Sequence, residues 1–288
     1  MKIKNGYLAS IQLLKNSTWT ILTNVEDFHP INCEIYDAIT ITCVNPNGTI
    51  DLSESSKLIT FTTNPYKFRK WAILGDSITD GRGDNTYTDK DGNEIYCKYR
   101  YWHYMLEKLN VGDYVDYGIA GTSIAQKNSS DNTAMSIRYT NMDDDCDLVT
   151  VLGGINDGWF NNPIGDETST GTDTFYGAVN TLCAGLRKKY PAATIIFATP
   201  LHQNSARYGG TRDADFFRDI IIKICAKYGI PVFDSYAQSG IYPSHRYPYT
   251  VINNPNYVDH DTSDGLHLNN QGAKKLGTVF ANFVLNYV

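Results

Sequence analysis

The chain has 288 residues, 42% of them hydrophobic and 19% charged, with a formal net charge of -6. That length allows one large domain or a domain with a small attachment, and the composition is that of a folded chain, not a disordered one. The acidic balance excludes nucleic acid and anionic membrane surfaces as main partners, because both would repel it.

The chain opens Met1-Lys2-Ile3-Lys4 and continues through a short apolar stretch interrupted by polar residues. It lacks the continuous apolar core and small-residue cleavage site of a secretory leader. No run approaches the roughly 18 apolar residues of a membrane span, so a soluble protein is expected, with its location left open. Segments 7–14, 19–24, 34–44 and 57–63 are rich in Ile, Thr, Val, Tyr and Leu, and turn-prone stretches such as Asn45-Pro46-Asn47-Gly48 separate them. They read as strands. Residues 1–68 are therefore expected to form a small β-rich N-terminal domain, with the join near Asn64-Pro65.

Residues 69–288 follow a different rhythm. Apolar runs at 71–75, 114–118, 147–153, 194–199 and 231–234 read as short buried strands, with helical patterns over 98–109, 172–189, 212–228 and 269–286. In the third helix Phe216, Ile220, Ile224 and Tyr228 recur at helical spacing, and Gly229-Ile230-Pro231 stops it. Alternating strands and helices imply an α/β fold, a three-layer α/β/α sandwich around a parallel sheet. Such a sheet places ligands at the carboxyl ends of its strands.

Those strand ends carry unusual polar residues. Leu74-Gly75-Asp76-Ser77-Ile78-Thr79 closes the first strand, where a serine can expose its hydroxyl at the sheet edge or merely cap a turn. Gly118-Ile119-Ala120-Gly121-Thr122-Ser123 offers bare backbone N–H groups, though its glycines also suit a plain turn. Gly153-Gly154-Ile155-Asn156-Asp157-Gly158 brings the Asn156 amide to a third strand end, as an oxyanion donor requires. Asp264-Gly265-Leu266-His267-Leu268-Asn269 sets a carboxylate three residues before a histidine, a spacing that lets Asp264 accept the His267 Nδ1 hydrogen bond.

Taken together and in this order, Gly75-Asp76-Ser77-Ile78-Thr79, Gly121, Gly154-Ile155-Asn156-Asp157 and Asp264-Gly265-Leu266-His267 resemble the four blocks of the SGNH (GDSL-like) hydrolases. The resemblance spans 70–288 and departs from the family only in reading GDSIT for GDSL, a form found among carbohydrate-directed members. It implies an SGNH/flavodoxin-like catalytic domain over 69–288. It also implies a serine esterase in which Ser77 is the nucleophile, His267 the general base and Asp264 its orienting carboxylate. The oxyanion hole would comprise the N–H groups of Ser77 and Gly121 and the Asn156 side chain, with Asp76 and Asp157 bracing their loops. No metal or organic cofactor is implied.

The family acts on acyl groups of lipids, thioesters and acetylated sugars, so the substrate must be read from the pocket. Twenty-one tyrosines and four tryptophans are present. Trp159 and Phe160 follow the oxyanion asparagine, and Tyr242, Tyr247, Tyr249 and Tyr257 precede the Asp-His loop. Aromatic faces in a polar setting suit sugar rings. Trp159 and Tyr247 are carried forward as substrate-binding candidates, with O-acetyl groups on carbohydrate as the leading substrate. A small-molecule or glycan ester is thus the expected partner, and the oligomeric state is not indicated. The alternatives are a general short-chain esterase, lipase or thioesterase, and a glycan-binding or virion structural protein with an inactive hydrolase fold.

Of the remaining features, the six cysteines lack CxxC spacing. Cys146, Cys183 and Cys225 are expected to be buried thiols, and a Cys33–Cys43 bridge is the one pairing worth testing. The run Asp143-Asp144-Asp145-Cys146-Asp147 is expected to be a solvated turn, and His29, His103, His202, His245 and His260 to be structural.

Overall fold

The fold is that of a computed structural model describing residues 2–3, 8–15, 18–25, 38–44, 59–60, 66–80, 86–88, 94–96, 99–203, 213–241, 261–262 and 266–287. Contacts divide the chain into two units, one of 1–69 with 110–113 and one of 70–109 with 114–288. In the first unit, β1 (Lys2–Ile3) pairs antiparallel with β5 (Ile59–Thr60). β2 (Leu8–Lys15) lies between β3 (Thr18–Val25) and β4 (Ala38–Val44), antiparallel to both. β-branched residues are frequent in β3 and β4, which suits strands. Cys33 and the Asn45–Gly48 turn lie outside the described residues.

The second unit is built on β6 (Phe68–Gly75), whose residues Trp71 to Leu74 are fully buried. A strand buried on both faces is what a parallel sheet covered by helices requires. Its partners are β9 (Val111–Gly118), β10 (Leu148–Leu152), β11 (Thr194–Ala198) and β12 (Val232–Phe233), and a separate short ribbon joins β7 (Thr86–Thr88) to β8 (Glu94–Tyr96). The parallel sheet has the order β12-β11-β10-β6-β9. From β6 the chain winds first to β9 on one edge, then returns to β10 on the other side of β6 and continues outward. The winding therefore reverses between β6 and β10, the flavodoxin-like arrangement in which ligands sit at the carboxyl ends beside the reversal. There Gly75 lies opposite Leu152 in the register, so Asp76-Ser77 and Gly153-Gly154 leave the sheet side by side.

Helices α1 (Tyr101–Leu109), α2 (Met135–Arg138), α3 (Ile155–Trp159), α4 (Phe175–Lys189), α5 (Ala214–Lys227), α6 (Ser235–Gln238) and α7 (Asn270–Val284) complete this unit among the described residues. Alternate residues of the strands separate the layers. Ala72, Leu74, Val149, Val151, Ile195 and Phe197 join one cluster with Val179, Leu182 and Leu186 of α4 and Phe217, Ile221 and Ile224 of α5. A second pair of helices, α1 and α7, pack on each other, with Tyr101 stacked on Phe280 and Phe280 stacked on Phe233. The expected three-layer sandwich is what forms.

One expectation changes in detail. The buried stripe of α5 is Ala214, Phe217, Ile220, Ile221, Ile224 and Cys225, and Phe216 is exposed. Both phases fit helical spacing, and the core selects the one that puts two adjacent isoleucines inward. The acidic run is the exposed turn expected, and its carboxylates also meet lysines. Lys70 Nζ pairs with Asp143 at 2.7 Å and Asp145 at 2.9 Å, Lys189 pairs with Asp144, and the Lys70 N–H donates to Asp147 Oδ1 at 3.0 Å. Cys146, Cys183 and Cys225 are buried free thiols, with the Sγ atoms of the latter two 3.7 Å apart.

The α5 phase has a direct consequence. Phe217→Ala should lower unfolding free energy by about 3–5 kcal/mol in urea titrations, and Phe216→Ala by less than about 1 kcal/mol. Equal losses would contradict the assigned face.

Candidate active site

At the end of β6 the chain has almost no space. A Cβ on Gly75 would lie 2.0 Å from Thr79 Oγ1 and 3.0 Å from the Leu152 carbonyl, so only glycine admits the tight turn that follows. Asp76 is fully buried, its Oδ1 accepts the Ile78 N–H at 3.0 Å, and its carbonyl accepts the N–H groups of Thr79 and Asp80. The start of α1 clamps the far side: Trp102 Nε1 donates to the Thr79 carbonyl at 2.8 Å and Arg100 Nε to the Asp80 carbonyl at 2.7 Å. Ser77 is left half-buried at the crest, its Oγ 2.9 Å from His267 Nε2.

His267 reaches that position from 190 residues away. Leu268 bridges Thr262, the Asn269 N–H donates to the Asp261 carbonyl, and the Asn269 side chain caps α7 by accepting the Gly272 N–H at 2.9 Å. Lys275 Nζ, one turn into α7, holds Asp261 Oδ2 at 2.9 Å. The histidine is thus anchored through the segments on either side of it. Asp264 and Tyr247 lie outside the described residues, as do Tyr242, Tyr249 and Tyr257.

The Gly121 loop is held from several directions. Asp80 Oδ2 accepts the Ala120 N–H at 2.9 Å, and Asn156 Nδ2 donates to the Thr122 carbonyl at 2.8 Å. Asp157, buried and next to Asn156 on α3, accepts the Ile124 and Ala125 N–H groups at 2.8 and 2.9 Å, and Asn162 Nδ2 donates to it at 3.0 Å. Lys127 Nζ donates to the Gly121 carbonyl at 3.0 Å and sits 3.9 Å from the centre of the Phe160 ring. Gly121 itself has φ +72°, and a Cβ there would meet no atom within 4 Å. Backbone angle, not crowding, therefore demands glycine, and the peptide faces open space. An amide carries two N–H groups, and Asn156 uses one on Thr122.

Asp80, Lys127 and Asn162 were not singled out in the sequence. Asp80 reaches a partner 40 residues away, while Lys127 and Asn162 reach partners six and five residues away through a loop shape that no motif encodes. Trp159 and Phe160 end α3 with 49% and 38% of their surface exposed. Beside Ser77 and His267 the described lining of the cleft includes Ile78, Arg100, Tyr101, Leu268 and Ala273.

The other described histidines, His103 and His202, do not join the site. His103 Nδ1 accepts the Arg100 N–H and its ring stacks on Trp102, with burial pushing its pKa down to about 4; His202 stacks on Tyr236. His29, His245 and His260 lie outside the described residues. Among the described residues no group of three or more His, Cys, Asp or Glu side chains is placed to hold a metal ion, and no helix is long and apolar enough to cross a membrane.

The winding reversal of this flavodoxin-like sheet thus carries a serine hydroxyl beside an imidazole nitrogen, an arrangement suited to nucleophilic catalysis. Residues 73–275 match the GDSL-like Lipase/Acylhydrolase family, and the chain belongs to that family of carboxylic ester hydrolases. A solved structure of a Lactobacillus plantarum protein aligns with 25% identity and a TM-score of 0.61, over 77% of this chain and 98% of that one. A "possible lipase" from Chitinophaga pinensis aligns with 21% identity and a TM-score of 0.54, over 76% and 98%, and shares the fold. No curated protein sequence matches the chain.

Burial pushes the Asp157 carboxyl up to about 7, against the pull of the two N–H donors, and pushes Asp76 up to about 6, against the pull of the Ile78 N–H and the charges of His267 and Arg138. A carboxyl raised from 3.8 to about 6 favours the folded state at low pH and loses that contribution as pH climbs through 6. Asp76→Asn stays neutral throughout. Thermal unfolding at pH 4, 5.5 and 7 should therefore show the difference between variant and wild type moving in the variant's favour as pH rises, and parallel curves would refute this. Asp157→Asn turns an amide N–H toward a backbone N–H. It should destabilise by about 1–3 kcal/mol and lower esterase activity with it; an active, equally stable variant would show that the loop does not depend on this carboxylate.

Proposed function

We propose that the chain is a serine esterase that removes short acyl groups, chiefly acetyl, from carbohydrate, and that Ser77 is its nucleophile. The observation that carries this reading is the 2.9 Å contact between Ser77 Oγ and His267 Nε2 at the winding reversal of the sheet. Ser77 Oγ attacks the ester carbonyl while His267 Nε2 takes its proton. The N–H groups of Ser77 and Gly121 and the second N–H of Asn156 receive the negative charge on the carbonyl oxygen. Protonated His267 then gives its proton to the departing sugar hydroxyl, leaving acetyl on Ser77. Water, deprotonated by His267, attacks that acyl group, and Ser77 leaves with the proton. Asp264 is assigned the Nδ1 side of His267, from the Asp-Gly-Leu-His spacing and the family pattern.

Ile78, Leu268 and Ala273 put apolar surface beside Ser77, which suits the alkyl end of an acyl group. Carbohydrate is favoured by Trp159, a half-exposed aromatic side chain at the end of the helix that carries Asn156, because sugar rings stack on aromatic faces. Tyr247 is kept as a second candidate for this contact on sequence grounds.

Hydrolysis of p-nitrophenyl acetate, the octanoate ester and an O-acetylated oligosaccharide tests the reading. Acetate turnover should exceed octanoate turnover, and Ser77→Ala should abolish both. Asn156→Ala should lower kcat by roughly 10²–10³. Trp159→Ala should raise KM for the oligosaccharide and leave the p-nitrophenyl ester unaffected. Activity that survives Ser77→Ala would refute the nucleophile, and a preference for octanoate would refute the substrate.

A further inference from the structure

Arg138, at the end of α2, is 8% exposed, and its guanidinium is fixed on four segments of chain. Nε donates to the Thr133 carbonyl at 2.8 Å and Nη1 to the Tyr117 carbonyl near the end of β9. Nη2 donates to the Gly75 carbonyl at 2.6 Å and to Thr122 Oγ1 at 3.1 Å. Gly75 is two residues before Ser77, and its carbonyl also accepts the Ile119 N–H at 3.0 Å. Thr122 directly follows Gly121, and its own carbonyl holds the Asn156 amide. A single planar group thus ties the chain before Ser77 to the chain after Gly121. Through Thr122 the same network reaches Asn156.

A guanidinium is an expensive way to fill space in a protein interior, because its desolvation must be offset by well-made hydrogen bonds. An apolar side chain would pack a core at lower cost. What the guanidinium offers is a rigid fork that meets several acceptors at fixed angles, which the single ammonium of lysine cannot do. Three of its four acceptors, Gly75, Tyr117 and Thr122, lie at the ends of β6 and β9 and in the Gly121 loop, the places that decide where the Ser77 and Gly121 N–H groups point. Oxyanion stabilisation depends on donors held in place before the charge develops, and displacement by about 1 Å can reduce rate by 10²-fold.

We propose that Arg138 is a positioning residue of the oxyanion hole, setting the separation of the Ser77 and Gly121 donors directly and the Asn156 donor through Thr122. The proposal rests on the reading that those three groups face the oxyanion. It does not follow from any short motif, since Arg138 lies 63 residues from Gly75 and 16 from Thr122.

The test uses the full chain with Arg138→Lys and Thr122→Val, the second replacing by a methyl the hydroxyl that accepts from Arg138 and donates to the Ile119 carbonyl at 2.8 Å. Active sites are first counted by stoichiometric fluorophosphonate labelling, so that kcat is expressed per reactive serine. For Arg138→Lys, kcat per site should fall by roughly 10²-fold with KM for p-nitrophenyl acetate nearly unchanged. The inhibition constant of a boronic acid, which mimics the tetrahedral state, should rise in proportion to the loss in kcat/KM. Thr122→Val should show the same pattern, smaller, at about tenfold. A role in stability alone would reduce the number of labelled sites and the Tm while leaving kcat per site at the wild-type value, and that result in both variants overturns the proposal. Should Arg138→Lys not fold, Thr122→Val decides by the same criterion. Wild type that fluorophosphonate does not label at Ser77 would overturn the underlying reading, an outcome separable from wild type that labels normally while both variants keep full kcat per site.

Discussion

Backbone N–H groups that face a reacting oxygen cannot also be tied into a sheet or helix, so the segment presenting them must be held by something else. In this chain the Gly121 loop is held by side chains. Asp80 and Asp157 accept its N–H groups, Asn156 and Lys127 donate to its carbonyls, and the Arg138 guanidinium takes the Thr122 hydroxyl. Most of these groups carry charge, and hydrogen bonds with an ionised partner are the stronger kind. The loop therefore has a fixed shape without a regular element of its own. The arrangement of the site follows from that constraint together with the register that sets Gly75 beside Leu152.

Holding a loop this way costs stability. Asp76 and Asp157 sit fully buried, and burial disfavours their ionised forms strongly enough to raise both titrations toward neutrality. Two raised carboxyls make this part of the molecule poorer in folding energy than an apolar core would be. Sites that need preorganised polarity commonly carry this cost, offset elsewhere by packing. Here the offset comes from the sheet, where Trp71, Ala72, Ile73 and Leu74 are completely buried between two helical layers.

Much of this was legible in the sequence because it depends on local pattern. The strand–helix alternation from residue 70 onward matches the observed elements closely, since buried parallel strands read as continuous apolar runs. Ser77, Gly121, Asn156 and His267 were visible because each ends or begins an element whose type could be assigned. The phase of α5 was not, because Phe216 and Phe217 both satisfy helical spacing and only the core chooses between them. Asp80 and Arg138 were invisible for a different reason. Each acts on residues brought near by topology, and ordinary charged residues in a loop or on a four-residue helix carry no signal of that.

The most direct test of the account is to find where the acyl group goes. The enzyme would be mixed with saturating p-nitrophenyl acetate, quenched in acid during turnover, digested and mapped by mass spectrometry. The account predicts a single acetyl group on Ser77, absent when His267 is replaced by alanine. Acetyl carried on another residue while turnover proceeds, with Ser77 unmodified, would contradict it.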